Sequence, residues 1–453
     1  MDSARTPTFD QPHYLEMPAL LETRSEPTNK KHTGKSKILL TGKYSPLESR
    51  RAHGTRCFEV VVTVRSEEKG RTIVKTLKDP SHQCSFAIVE DIAKQGAYDA
   101  LFQSTSDGGG AQKPFDYVVH TASPYQFHVE DPVKDFLDPA IKGTTGLLHS
   151  IQAYAPSVKR VVVTSSSAAV INPNGHAKVY DETHWPPVTW EEAMDPKNTY
   201  RCSKVRSSYI PPRATRQERY CPRMSTFPSN TSSLIITLSF LSPLSHQFSP
   251  YQRKKDELTR PNPLRKVFSE KAAWAIANAT DPRPNFDLVT LNPTYNFGPI
   301  QRGLPRLASV NASNARIRDL VLGVNGPQGA NPGLPPTAPV FTFVDVRDVA
   351  LAHLRALTVP EAGGNRFYLV GAHFSNQHVA AAVARNFPEL RDRLPVDIGE
   401  ELDDLPADVY GFDNGKSRRV LGIEYKGLEE SVVDTVHSML AHKDAQGTSW
   451  LSL

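Results

Sequence analysis

A recurring kind of apolar run constrains this chain more than any other feature. Residues 37–42, 58–69, 85–92, 115–124, 160–168 and 286–293 each hold a short β-branched stretch that runs into small or polar residues. Stretches that are apolar at successive positions, rather than at every second one, read as parallel strands buried on both faces. Between them lie segments of helical spacing, such as 138–149, whose apolar residues recur three and four apart. His149 in that segment reads as a packed helix residue. This alternation predicts an α/β fold, a doubly wound parallel sheet. Ligands of such sheets sit beyond the carboxyl ends of the strands, so residues at the exits of these runs are the first candidates for a site.

Two stretches carry chemistry. The run at 160–168 stops at the row Ser165-Ser166-Ser167, and Ser166 is the candidate to face a substrate carbonyl; a serine there also suits a turn cap. In Tyr200-Arg201-Cys202-Ser203-Lys204 a tyrosine and a lysine stand four apart, one helical turn from each other. An ammonium beside a phenol favours the phenolate and brings its pKa from about 10 towards working pH, as a general acid requires. The same spacing also occurs on solvated helix faces.

With the serine row and the Tyr/Lys pair together, the chain resembles the extended short-chain dehydrogenase/reductase family. Within it the chain is similar to fungal aldehyde and methylglyoxal reductases and ketoreductases, relatives of plant dihydroflavonol reductase. The resemblance implies a Rossmann-type sheet, a smaller C-terminal substrate-binding region, and NADPH as cofactor. Gly42 would close the first strand where the pyrophosphate approaches. Arg65 stands where an acidic residue would choose NAD and an arginine admits a 2′-phosphate, with Lys69 beside it. Asp91 and Ile92 would meet the adenine, and Thr121 belongs to the segment that lines the ribose. Pro293 and Thr294 would pass beside the nicotinamide, with Tyr200 and Lys204 completing the site. Tyr125 and Phe127 are either walls of an apolar substrate pocket or core. The segment at 340–350 also matches, with Asp345 and Arg347 expected to cap and anchor rather than to react. So do 366–371, 413–422 and a helix ending near His442. The implied reaction reduces a small aldehyde, a diketone, or a ketone of a polyketide-type secondary metabolite.

Two stretches depart from that pattern. The family's TGxxGxxG or TGxxGxxA turn is replaced by one with Ser45 and Glu48, where Ser45-Pro46-Leu47-Glu48 forms a capping box. The helix that should run on as SKxFxEKAAW is parted after Lys204-Val205 and resumes at Phe268-Ser269-Glu270-Lys271. The intervening residues 206–266 carry Pro211, Pro212, many serines and Arg253-Lys254-Lys255 without period, and resemble translated intron. The expected organisation is a disordered tail at 1–36, a first Rossmann part at 37–205, the insert, the remaining Rossmann and substrate-binding part at 267–442, and a tail at 443–453. Two other readings stand beside the reductase: a sugar-nucleotide epimerase or dehydratase that retains NAD, and a catalytically impaired product.

Composition narrows the partners. A net charge of +5 and pI near 8.8 come from scattered Lys and Arg, which argues against nucleic acid. Cys57, Cys84, Cys202 and Cys221 form no CxxC, so neither a zinc site nor a disulfide scaffold is expected. No apolar stretch reaches the roughly 18 residues of a membrane span. Asp2, Asp10 and Glu16 at the N-terminus fit no targeting segment, so the cytoplasm is expected, with the chain a monomer or homodimer.

Overall fold

The computed structural model describes residues 36–41, 58–77, 84–106, 113–122, 138–172, 174–187, 264–300, 304, 307, 310–329, 333–337, 339–399 and 404–442. Gly42, the turn with Ser45 and Glu48, Tyr125, Phe127, Tyr200, Lys204 and almost all of the insert lie outside them.

The apolar runs form one sheet. β1 (Ser36–Thr41), β2 (Phe58–Val64), β3 (Cys84–Ile88), β4 (Tyr117–His120), β5 (Arg160–Thr164), β7 (Asp287–Pro293) and β10 (Asn365–Leu369) lie in the order β10-β7-β5-β4-β1-β2-β3. Every pairing is parallel. Register explains why these runs carry no polar face. Val61, Leu39, Val118, Val161 and Leu288 pair across five strands on one face, and Val62, Leu40, Val119, Val162 and Val289 do the same on the other. Side chains alternate between faces along a strand, so both rows need cover.

Helices supply it. Onto the first row pack α2 (Asp99–Ser106), α3 (Asp138–Tyr154) and α4 (Leu264–Ala277), with Tyr98, Phe102, Leu147, Leu148, Ile151 and Ala273 in the core. Onto the second pack α1 (Glu67–Leu77), α6 (Val346–Thr358) and α8 (Gly415–Leu421), through Ile73, Val349, Ala352, Ala356 and Leu421. Burying each such aliphatic side chain contributes about 1.5–3 kcal/mol.

The C-terminal region has its own core, in which α5 (Ala312–Val321), α7 (Asn376–Asn386) and α9 (Leu428–Leu440) enclose Phe297, Phe343 and Phe374. Phe297 leads out of β8 (Tyr295–Phe297), which pairs with β9 (Thr342–Asp345). As expected, Asp345 and Arg347 serve structure. Asp345 caps α6 by accepting the Arg347 N–H, and the Arg347 guanidinium pairs with Asp345 and with Asp434 of α9.

Some expectations need correction. β3 ends at Ile88, short of 92. α3 runs to Tyr154, and His149 on it is exposed; the buried side of that turn is Leu147, Leu148 and Ser150. Arg160, which opens an apolar run, is buried and donates both Nε and an Nη to the Asp287 carboxylate, with further bonds to the carbonyls of Ala356, Val359 and Pro360. Among the described residues, no helix is long and apolar enough to cross a membrane.

Candidate active site

A parallel sheet gathers its carboxyl ends on one edge, and that edge collects the candidates that can be placed. β1 is flanked by β4 and β2, so strand order reverses between β1 and β4, where a crevice opens in folds of this kind. At its mouth Thr121 donates its hydroxyl to the Thr41 carbonyl at 2.8 Å. Below it, Thr41 Oγ1 and His120 Nδ1 are hydrogen-bonded at 2.6 Å. His120 Nε2 meets Thr144 Oγ1 of α3 at 3.3 Å, and Thr144 Oγ1 meets Ser269 Oγ of α4 at 2.7 Å. A buried polar chain thus crosses from the end of the first strand to α4.

Past β2, Arg65 and Lys69 are exposed, and neither has an ion-pair partner among the described residues. Glu67, between them, is engaged by Arg71. Two unneutralised cations beside the crevice are a donor set suited to a phosphate, so the residues present fit a 2′-phosphorylated dinucleotide. Past β3, Asp91 accepts the Ala93 N–H at 2.9 Å, and Ile92 lies over Gly143 of α3. At the end of β7, Pro293 and the following Thr294 are buried, and the Thr294 hydroxyl donates to the Thr342 carbonyl at 2.7 Å.

Ser166 follows β5 and is half-buried, its oxygen accepting the Ala168 N–H at 3.2 Å to cap the turn Ser167–Ala169. Capping uses an acceptor lone pair and leaves the O–H free to donate, so the cap and the substrate-facing roles are compatible.

The sequence did not single out Glu270, which organises the serine row from behind. Its carboxylate is fully buried and receives four donors, two on each oxygen. Oε1 accepts from Thr290 Oγ1 and from Arg366 Nε, each at 2.7 Å. Oε2 accepts from Asn292 Nδ2 at 2.7 Å and from the Ser165 hydroxyl. Burial alone would raise its pKa, but the Arg366 charge and the hydrogen bonds of Arg366, Ser165 and Thr290 outweigh it and hold the carboxyl below its ordinary range. Arg366 in turn lies 3.6 Å from the centre of the Trp185 ring and donates to the carbonyls of Glu182, His184 and Ala169. Lys271 faces the same ring, and burial, aided by Arg366, lowers its pKa. One signal was present in the sequence: a glutamate among Phe268, Ala272 and Ala273 has nowhere apolar to go unless partnered.

α4 begins at Leu264, so its first turn is built from the last residues of the insert. The dipeptide Lys-Val stands at both borders of that segment, as Lys204-Val205 and Lys266-Val267. Among the described residues no cluster of His, Cys, Asp and Glu could hold a metal ion.

No family model matches the chain. Ketoreductase azaE of Aspergillus niger is 44% identical over 384 residues, spanning 84% of this chain and 90% of that protein. The NADPH-dependent methylglyoxal reductase GRE2 of Saccharomyces cerevisiae is 29% identical over 390 residues, spanning 84% and 91%. Among solved structures, yeast methylglyoxal/isovaleraldehyde reductase Gre2 complexed with NADPH matches at a TM-score of 0.65 and 26% identity, covering 89% of this chain and 98% of the other. Vestitone reductase from alfalfa shares the fold at a TM-score of 0.54 and 17% identity, with coverage of 89% and 98%.

Proposed function

The chain belongs to the extended short-chain dehydrogenase/reductase family, and from that premise we propose that it reduces a small-molecule carbonyl to an alcohol with NADPH. The observation that carries this reading is the 44% identity with a ketoreductase along 90% of that protein's length. Arg65 and Lys69, exposed past β2 and without an ion-pair partner among the described residues, support the choice of the phosphorylated cofactor.

Bound NADPH supplies the hydride. Arg65 and Lys69 hold its 2′-phosphate, Gly42 lets the main chain approach the pyrophosphate, Asp91 and Ile92 border the adenine, and Thr121 the ribose. Pro293 and Thr294 line the nicotinamide side. Ser166 donates its free O–H to the carbonyl oxygen, which gains negative charge as the carbon is reduced. Tyr200 gives that oxygen its proton, and Lys204 lowers the phenol pKa and binds the ribose. The substrate is an aldehyde, a diketone or a polyketide-type ketone of secondary metabolism, with the enzyme working in the cytoplasm as a monomer or homodimer. The 37–205 and 267–442 segments together form the catalytic body.

The test is a fluorescence titration with NADPH and NADH, followed by assays of NADPH consumption on aldehydes and diketones. NADPH binds, and Tyr200→Phe lowers turnover by about 10²–10⁴-fold with cofactor affinity intact. Undiminished turnover in Y200F refutes Tyr200 as the acid. No quenching by NADPH refutes the reductase reading, and co-purified tightly bound NAD would point to an epimerase or dehydratase.

A further inference from the structure

We infer that Glu270 is a positioning residue for the reduction, fixing through Ser165 and Asn292 the turn that presents Ser166; this rests on the carbonyl-reductase reading of that turn. Arg366 alone would neutralise the Glu270 charge. The other three donors have a different origin: Ser165 leaves β5, and Thr290 and Asn292 lie on β7, the two neighbouring strands whose ends flank Ser166.

The turn is gripped at three points. Glu270 Oε2 holds the Ser165 hydroxyl, Asn292 Nδ2 reaches the Ser166 carbonyl at 3.2 Å, and an Arg366 Nη reaches the Ala169 carbonyl at 3.0 Å. Glu270 makes the first contact itself and orients the donors of the other two. Asn292 is fully buried, and both partners of its Nδ2, Glu270 Oε2 and Ser166 O, are acceptors, so chemistry fixes its amide orientation. A serine hydroxyl that must meet a carbonyl oxygen needs placement to within about 0.5 Å, and these bonds constrain the peptide that carries it.

Replacing Glu270 by glutamine makes the prediction specific. The new amide nitrogen avoids the Arg366 cation and turns towards Ser165 and Asn292. There it meets a second amide nitrogen, since Asn292 presents Nδ2. Asn292 must turn its oxygen inward and give up the Ser166 carbonyl. The amide oxygen still accepts from Arg366 Nε but no longer balances its charge, which lowers overall stability, and the grip on Ser166 is lost.

The experiment is a double-mutant cycle of Ser165→Ala and Glu270→Gln, assayed with NADPH and methylglyoxal as probe carbonyl, with hydrogen exchange measured on the same cofactor-free proteins. Each single variant is expected to lower kcat by about 10- to 100-fold, with KM and the NADPH Kd unchanged, and the double variant to lose no more than Glu270→Gln alone. Amide exchange in residues 166–171 rises about tenfold more in Glu270→Gln than that of β1, β2 and α2, which follows the loss of overall stability. Unchanged kcat, losses that multiply in the double variant, or exchange that rises no more in residues 166–171 than in the sheet would each overturn the inference. Should Glu270→Gln not fold, Ser165→Ala decides, and an undiminished kcat overturns it. A wild-type protein inert towards methylglyoxal would count against the reductase reading on this probe, and the exchange comparison would then decide the positioning role separately.

Discussion

Glu270 and Arg366 form an ion pair with side-chain exposures of 0% and 10%, and such a pair is asymmetric in its consequences. Removing one partner strands the other in a low-dielectric interior, so Arg366→Met is expected to cost about 3–5 kcal/mol in chemical denaturation. Its pH dependence has a definite sign. Burial would raise the Glu270 pKa, yet Arg366 and the hydroxyl donors bring it below the ordinary 4.5, so the unfolded chain holds this proton more tightly than the folded one. The stabilisation is therefore complete above the ordinary value and drains as pH falls through the lower folded pKa. Wild-type Tm should be level from neutrality to about pH 5 and then drop, with a shallower acid drop in Glu270→Gln; equal acid slopes in both would show that other groups govern the drop. Little of this pair was legible beforehand. Glu270 reaches its partners across 105 positions to Ser165 and 96 to Arg366, distances at which local spacing carries no information. Ser166, by contrast, stood out because a strand exit is a local pattern.

Elements were legible wherever periodicity was strong. The β-branched runs became strands because both their faces are covered, and the residues that leave them share one edge because every pairing is parallel. Ends were less legible: β3 stops at Ile88, and His149 turns outward because α3 buries a narrower stripe than its apolar spacing suggested. The insert raises a question of helix register. Glu270 is fixed against Ser165, so anything joined ahead of Phe268 inherits a defined rotation of about 100° per residue. Deleting residues 205–266 yields Lys204-Val267-Phe268-Ser269-Glu270, with Lys204 one turn before Glu270 on the same face. Deleting only 206–266 adds one residue and rotates Tyr200 and Lys204 off that face. The first deletion should retain or raise kcat/KM, and the loop-closure relation gives it up to roughly 3 to 4 kcal/mol of added stability. The second should fold with far lower activity. Equal activity in the two would dismiss the register argument.

At the scale of the molecule, one sheet carries both flanks of the crevice. β1, β2 and β3 stand on one side of the switch and β4, β5, β7 and β10 on the other, with continuous apolar rows running through β2, β1, β4, β5 and β7. The C-terminal core is tied to the same body through α6, which packs on the sheet while its Arg347 grips Asp434 of α9. A ligand bound at the β1/β4 crevice therefore acts on all of it. Binding to the folded state alone stabilises by RT ln(1 + [L]/Kd), about 2.7 kcal/mol at a hundred times Kd. NADPH at that excess should move one cooperative thermal transition upward by several degrees, and NADH at the same concentration should move it much less. Arg65→Glu should erase the difference between the two cofactors, because a carboxylate in place of the guanidinium repels the 2′-phosphate and tolerates a ribose hydroxyl. The measurement is differential scanning fluorimetry of both proteins with each nucleotide. Equal shifts from NADPH and NADH in the wild type would remove Arg65 and Lys69 from the cofactor site, and a second transition that ignores both nucleotides would show that the C-terminal core unfolds apart from the sheet.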